Sequence, residues 1–226
     1  MSLAEPSPDG PAPQSPVDRR NANSRAIIAA AHRLIEQQHE GFTTQELIKE
    51  AGVALQTFYR HFAGKDQLLL AVIAELIAEH CRALEARAQH LDDPVERLHV
   101  YVTASLESLA SPDVNPQFIT AEHWRLHQLY PEEMSAATKP VADLIRRELE
   151  AGQAAGVLAP RDPERDAWLI NRMIMAAYHH YAFLRDDHAV DTVADDVWEF
   201  CLAAVGGGGA PSRRLGLKRR GRKQSA

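Results

Sequence analysis

The chain has 226 residues, 45% of them hydrophobic, and a formal net charge of −6. That length is ample for one or two buried cores. No apolar run approaches the ~20 residues that cross a bilayer, and no charged segment leads into an apolar one as in a secretory signal, so no membrane partner and a cytoplasmic location are expected. Helix formers abound and alternating β-branched runs are absent, which predicts an all-α fold. The two cysteines, Cys81 and Cys201, lie in apolar-periodic stretches and read as reduced, packed thiols.

The charge is distributed unevenly. Residues 1–18 hold three acids and no base, and residues 19–65 hold seven Lys/Arg and four acids. Residues 66–205 hold eleven bases against twenty-four acids, and residues 206–226 hold seven bases and no acid. A basic head and tail on an acidic bulk is the pattern of a protein that turns one end toward a polyanion.

Residues 1–18, rich in Pro, Ser and Ala, are expected to be disordered. Arg19, Arg20 and Arg25 follow as a short basic arm or as loose surface charges. A first helix is expected from Ser24 to Gln38, with Ile27, Ala31, Leu34 and Ile35 as its apolar stripe. The stretch from Thr43 to Lys65, TTQELIKEAGVALQTFYRHFAGK, then reads as two short helices joined by a tight turn. The first runs from Thr44, its expected N-cap, to Ala51, and Gly52 ends it because glycine takes the left-handed conformation without steric cost. The second covers Leu55 to Phe62 and buries Phe58 and Phe62. Its other face offers Gln56, Thr57, Tyr59, Arg60 and His61, which are polar, aromatic and cationic groups with no acid, suited to phosphates and base edges. This is a helix-turn-helix, and duplex DNA is the partner it suggests. Leu55 shares the apolar face, so packing and a thymine-methyl contact both remain open for it.

A long helix follows from about Asp66 to Ala88. Asp93-Pro94-Val95-Glu96 reads as an N-cap, a proline at the first helical position and a capping-box glutamate; that helix stops at Ser111-Pro112. Further helices are expected from Pro116 to Leu129, from Pro131 through a bracket or kink at Pro140 to Gly152, from Pro163 to about Ala182, and from Thr192 to the glycines at 206–209. Trp124, His127 and Tyr130, with Tyr178, His179 and His180, could line a pocket for an organic molecule or fill a core. His123 and His127 stand at i, i+4, but no Cys or carboxylate completes a metal site, so no metal and no cofactor are expected. The basic end of the chain reads as a disordered arm or a solubilising tail.

The segment from Ser24 to Ile73 resembles the tetracycline-repressor-like (TetR) transcriptional regulators. The resemblance is carried by IIAAAHRLI, FTTQELIKEAGVALQTFYRHF and GKDQLL in that order and spacing. It implies a homodimer with a helix-turn-helix domain at 19–65 and a ligand-binding and dimerisation domain at 66–205, flanked by disordered segments at 1–18 and 206–226. It implies DNA contacts from Thr44, Gln45, Leu55, Gln56, Thr57, Tyr59, His61 and Lys65, with Lys65 on a phosphate; Arg60 beside them either reads guanine with its fork or is a solvated cation. It also implies a small-molecule effector that releases a palindromic operator, a repressor that is not an enzyme, and no catalytic residues. Trp168, Ile174, Met175, Tyr178 and Tyr181, with Val193, Val197, Phe200 and Cys201, would then form a four-helix dimer interface. Departures from the family pattern are His39 in place of a glycine, Ile48 in place of a small residue, which should push two helices apart, and Gly64 in place of a serine.

Two alternatives stand beside this reading. Glu36-x-x-His39 and Glu96-x-x-His99 match the Glu-x-x-His spacing of di-iron helical bundles, although Glu96 already serves as a cap. The other is a DNA-binding regulator without a small-molecule ligand.

Overall fold

The computed structural model describes residues 16–37, 41–110, 115–183 and 187–206. The expectations for residues 1–15, His39 and 207–226 lie outside them. The described residues form nine α-helices and one short 3-10 turn, with no strand among them. The chain divides into two compact units between Val72 and Ile73, inside a helix rather than at its start.

The first unit contains α1 (Pro16–Gln37), α2 (Thr44–Ala51), α3 (Leu55–His61) and the opening turns of α4 (Lys65–Ala88). Helix α1 begins at Pro16, well ahead of Ser24 and inside the segment expected to be disordered. A proline at the first helical position gives up an N–H that has no intrahelical partner anyway. Ile27, Ala30 and Ala31 of α1 are fully buried, Leu47, Phe58 and Leu68 of the other three helices are buried to 1% exposure or less, and α1 packs on α2 and α3. Arg33 on α1 donates to Glu50 on α2 at 2.6 Å.

The N-cap of α2 is Thr43, not Thr44. The Thr43 hydroxyl oxygen accepts from the Glu46 N–H at 3.2 Å, and the Glu46 carboxylate accepts from the Thr43 N–H at 2.7 Å. This reciprocal capping box satisfies two otherwise orphaned N–H groups. The Thr43 N–H and then the Thr43 hydroxyl, which donates to the same carboxylate at 2.8 Å, hold the Glu46 carboxyl below its ordinary pKa. Gly52 closes α2 at φ 64°, where a side chain would be strained, and its N–H reaches the carbonyls of Ile48 and Lys49.

The second unit adds α5 (Pro94–Glu107), the 3-10 turn Ser108–Ala110, α6 (Pro116–Leu129), α7 (Pro131–Ala154), α8 (Pro163–Tyr181) and α9 (Asp187–Ala204). Asp93, Asn115 and Asp162 cap α5, α6 and α8 through their side chains, each followed by proline. Helix α9 starts at Asp187, ahead of the expected Thr192. Helix α7 continues through Pro140. The carbonyl that loses its partner belongs to Ala136, and both residues are exposed, so water can take that bond.

Leu84, Leu98, Leu106, Ile145 and Leu149 anchor the core of this unit at 1% exposure or less. Cys81 and Cys201 belong to it, and burial pushes both thiols up to about 11. Arg97 donates through Nε to Glu148 at 2.8 Å and through Nη1 to the carbonyls of Leu91 and Asp92, each at 2.9 Å. One guanidinium thereby fastens α5, α7 and the turn before α5.

Candidate nucleic-acid interface and ligand cavity

Helix α3 is amphipathic across a single pair of turns. Phe58 is buried and stacks at a tilt on Phe62, ring centroids 6.0 Å apart, which fixes the helix against its unit. Leu55, Gln56, Tyr59 and Arg60 are exposed on α3, and Gln45 is exposed on α2. Tyr59 is 56% exposed and meets Phe58 edge to face, so its ring is braced while its hydroxyl end stays accessible. Leu55 is 47% exposed and so is not a core residue. Arg60 makes no ion pair among the described residues, unlike Arg33. Thr44, Thr57 and His61 are half-buried. Ile48 is half-buried too, and α2 and α3 still pack on α1.

Lys65 is built into the unit. Its ammonium donates to the Phe42 carbonyl at 2.6 Å and lies 4.6 Å from the centroid of the Phe42 ring. Phe42 immediately precedes the N-cap of α2, so Lys65 ties the start of α4 to the start of α2. That structural duty was invisible in the sequence, where Lys65 reads as a phosphate ligand alone.

The second unit holds a half-open cavity of about 190 Å³. Ile73, Leu76, Ile77, Ile119, Val141 and Ile174 give it apolar walls. The polar groups among them are His80, Ser105, His123, Thr138, Asn171 and His179, joined by Tyr178 and Ser108. Of the residues expected to line a pocket, Tyr178 and His179 lie in the wall, whereas Trp124, His127, Tyr130 and His180 do not. Trp124 is 54% exposed and packs outside, 5.4 Å from the His179 ring. His127 stacks on His123 at 6.1 Å. The inward face of α6 carries Ile119 and His123, one residue round from the face that bears Trp124.

Burial lowers the pKa of all three wall histidines. His123 is brought down to about 4 by desolvation, reinforced by His179, His127 and Arg172. Desolvation acts likewise on His80 and, with Arg172, on His179. Burial also pushes the Tyr178 phenol up to about 12. No Asp, Glu, Lys or Arg lines the cavity, so its wall is neutral at physiological pH. Two wall residues, His123 at 5% and Asn171 at 4% exposure, keep a buried atom (Nδ1 and Oδ1) without a hydrogen-bond partner. Such an orphan costs about 1–3 kcal/mol. No group of three His, Cys, Asp or Glu among the described residues is placed to hold a metal ion.

The expected dimer stripe is divided by the structure. Ile174 and Cys201 are core residues, Val193 and Val197 pack against that core, and Met175 and Tyr178 face the cavity. Trp168 and Phe200 are 52% and 62% exposed, and Leu169 and Phe183 join them as large exposed apolar side chains on or just beyond α8. No helix among the described residues is long and apolar enough to cross a membrane.

Residues 27–72 match the family model described as bacterial regulatory proteins, tetR family. The regulator BetI of Brucella canis is 32% identical over 85 residues, which is 37% of this chain and 43% of that protein. An uncharacterised helix-turn-helix regulator of Bacillus subtilis, YvaF, is 38% identical over 55 residues. This chain therefore spans less than half the length of these curated relatives, 29% of YvaF and 43% of BetI. The crystal structure of a TetR-family regulator from Pectobacterium atrosepticum superposes with a TM-score of 0.71 at 19% identity, covering 85% of this chain and 97% of that one. AibR, in complex with isovaleryl coenzyme A and operator DNA, gives 0.54 at 24%, covering 79% and 97%. At such identities the likeness is one of fold. Residues 27–72 are thus similar to the TetR family of bacterial regulatory proteins.

Proposed function

We propose that the chain is a transcriptional regulator, more specifically a repressor, that binds duplex DNA as a homodimer through α2 and α3 and leaves it when a small molecule occupies the cavity. The observation that carries this reading is the exposed face of Gln45, Leu55, Gln56, Tyr59 and Arg60 on a helix pair braced by Phe58 and the Thr43–Glu46 box. Base edges would be read by Gln45, Gln56 and Arg60, with Leu55 against a thymine methyl. Thr44, Thr57, Tyr59 and His61 would position the unit on phosphates. Trp168, Leu169, Phe183 and Phe200 are the surface that a second copy would cover. Two-fold symmetry then calls for a palindrome with half-sites one turn apart, about 34–36 Å.

AibR, a fold relative, is seen with both isovaleryl coenzyme A and operator DNA, so a protein of this fold can hold both kinds of partner. The apolar-walled cavity in the second unit favours a ligand-responsive regulator over a constitutive one. To invert a 99:1 population the ligand must prefer the DNA-free state by about 10⁴-fold. DNase footprinting with the purified chain on the DNA flanking its own gene is the test. A protected palindrome whose affinity falls steeply with salt is the expected result; the absence of any protected site at low salt overturns the proposal.

A further inference from the structure

The hydroxyls in the cavity wall make little demand on a guest. Ser105 donates to the Tyr101 carbonyl at 2.8 Å, Ser108 to the Ser105 carbonyl at 2.8 Å, and Thr138 to the Met134 carbonyl at 3.0 Å. His80 Nε2 lies 3.0 Å from Ser105 Oγ. An apolar molecule beside these groups breaks none of those bonds. The orphaned Asn171 Oδ1 and His123 Nδ1 are closed off inside the wall and touch no guest. Tyr178, the imidazoles and the Asn171 amide mix donors with acceptors, so neither kind of polar guest is favoured. The rest of the wall is mostly aliphatic, with Ile73, Leu76 and Ile77 from α4, Ile119 from α6, Val141 from α7 and Ile174 from α8.

Full charge is what the wall lacks. Among the described lining residues there is no Asp, Glu, Lys or Arg. Burial holds the imidazoles of His80, His123 and His179 neutral, and Arg172 acts on the last two from outside the lining. An ion that enters gives up water and meets no opposite charge, whichever its sign. The volume sets the scale: an apolar cavity of about 150 Å³ holds one benzene, and this one measures about 190 Å³.

We propose that the cavity takes an uncharged, predominantly apolar molecule about the size of a substituted benzene, chosen by the apolar surface it buries and by its lack of charge rather than by its hydrogen bonds. This names the effector class and rests on the regulator reading only for its consequence at DNA.

Calorimetric titration of the full-length chain at neutral pH with toluene, ethylbenzene, benzoate and benzylammonium tests it. Toluene binds at one site per chain, and ethylbenzene binds about fourfold more tightly, as one further buried methylene requires. Benzoate and benzylammonium, built on the same ring, each bind at least about tenfold more weakly than toluene. Ile77→Trp fills the chamber from α4 and weakens toluene. Met175→Lys sets an ammonium in the wall, so benzoate gains affinity and benzylammonium does not. Circular dichroism establishes that each variant is folded, and the wild-type ranking decides the matter without them. Either ion within about tenfold of toluene in wild type, no binding by toluene, or toluene undiminished in folded Ile77→Trp overturns the proposal. So does a folded Met175→Lys that gains nothing for benzoate. Footprinting on the same preparation separates the two readings. Operator protection with the wrong ranking of probes sinks the effector class alone, whereas absent protection in probe-free protein sinks the regulator.

Discussion

Lys65→Met separates two roles that one cation can play. The substitution keeps most of the apolar stem and deletes the ammonium, which holds the Phe42 carbonyl at 2.6 Å and sits 4.6 Å from its ring centroid. A charge-assisted hydrogen bond contributes about 1.5–3 kcal/mol and an exposed cation–π contact about 0.5–1 kcal/mol. Lys65 is only half-buried, so the lower ends apply, and the first unit should lose about 2 kcal/mol. Urea unfolding reads this out by difference. All three tryptophans, Trp124, Trp168 and Trp198, lie in the second unit, so their fluorescence reports that unit while circular dichroism follows both. The circular dichroism transition should acquire an early phase, with the fluorescence transition unmoved. A phosphate contact would give a different signature, a salt slope of DNA binding lower by about 0.9 per protomer. The expectation here is a nearly unchanged slope with weaker binding. Stability within about 0.5 kcal/mol of wild type, together with a slope reduced by about one, would refute the positioning role.

Two further perturbations probe the second unit. Arg97→Met strands a Glu148 side chain that is only 10% exposed and should cost about 3 kcal/mol, toward the lower end for a broken buried pair. Adding Glu148→Leu should restore most of that loss, and a double-mutant cycle by fluorescence-monitored unfolding that returns plain additivity would show the pair to be uncoupled. Gly152→Ala places a methyl 2.5 Å from Leu158 Cδ1 and 2.7 Å from its Cγ. Overpacking of this kind costs about 1–3 kcal/mol, and Leu158→Ala in the same chain should relieve the clash while leaving its own cavity penalty.

The helix starts were largely legible because their chemistry is local. Asp93-Pro94 and Asp162-Pro163 announce a cap and a first turn without reference to the rest of the fold. The cap at Thr43 has a local signature too: of two adjacent threonines, only Thr43 stands three residues ahead of a glutamate, and that spacing selects it. Whether a helix continues past a proline such as Pro140 depends on whether the orphaned carbonyl can reach water, which only the packing of α7 decides. The cavity was the least legible feature. Trp124 and His127 drew notice for their size, yet the inward face of α6 belongs to Ile119 and His123. A rotation of one residue around a helix is set by neighbours distant in sequence. Lys65 was recognisable as a cation, but its pairing with Phe42 closes a loop of 23 residues and has no local signature.

Ser105, Ser108 and Thr138 are each satisfied by the backbone of their own helix or its 3-10 extension rather than by one another. An exchange of Ser108 or Thr138 for alanine therefore strands no partner across the cavity, and its effect on the rest of the wall is confined to shape. Positions of this kind can drift one at a time, each altering the outline of the chamber while its helices stay in register. If the cavity holds a small molecule as proposed, selectivity for a new one is reachable through single, nearly additive steps, with the fold held by Arg97, Glu148 and the leucine core.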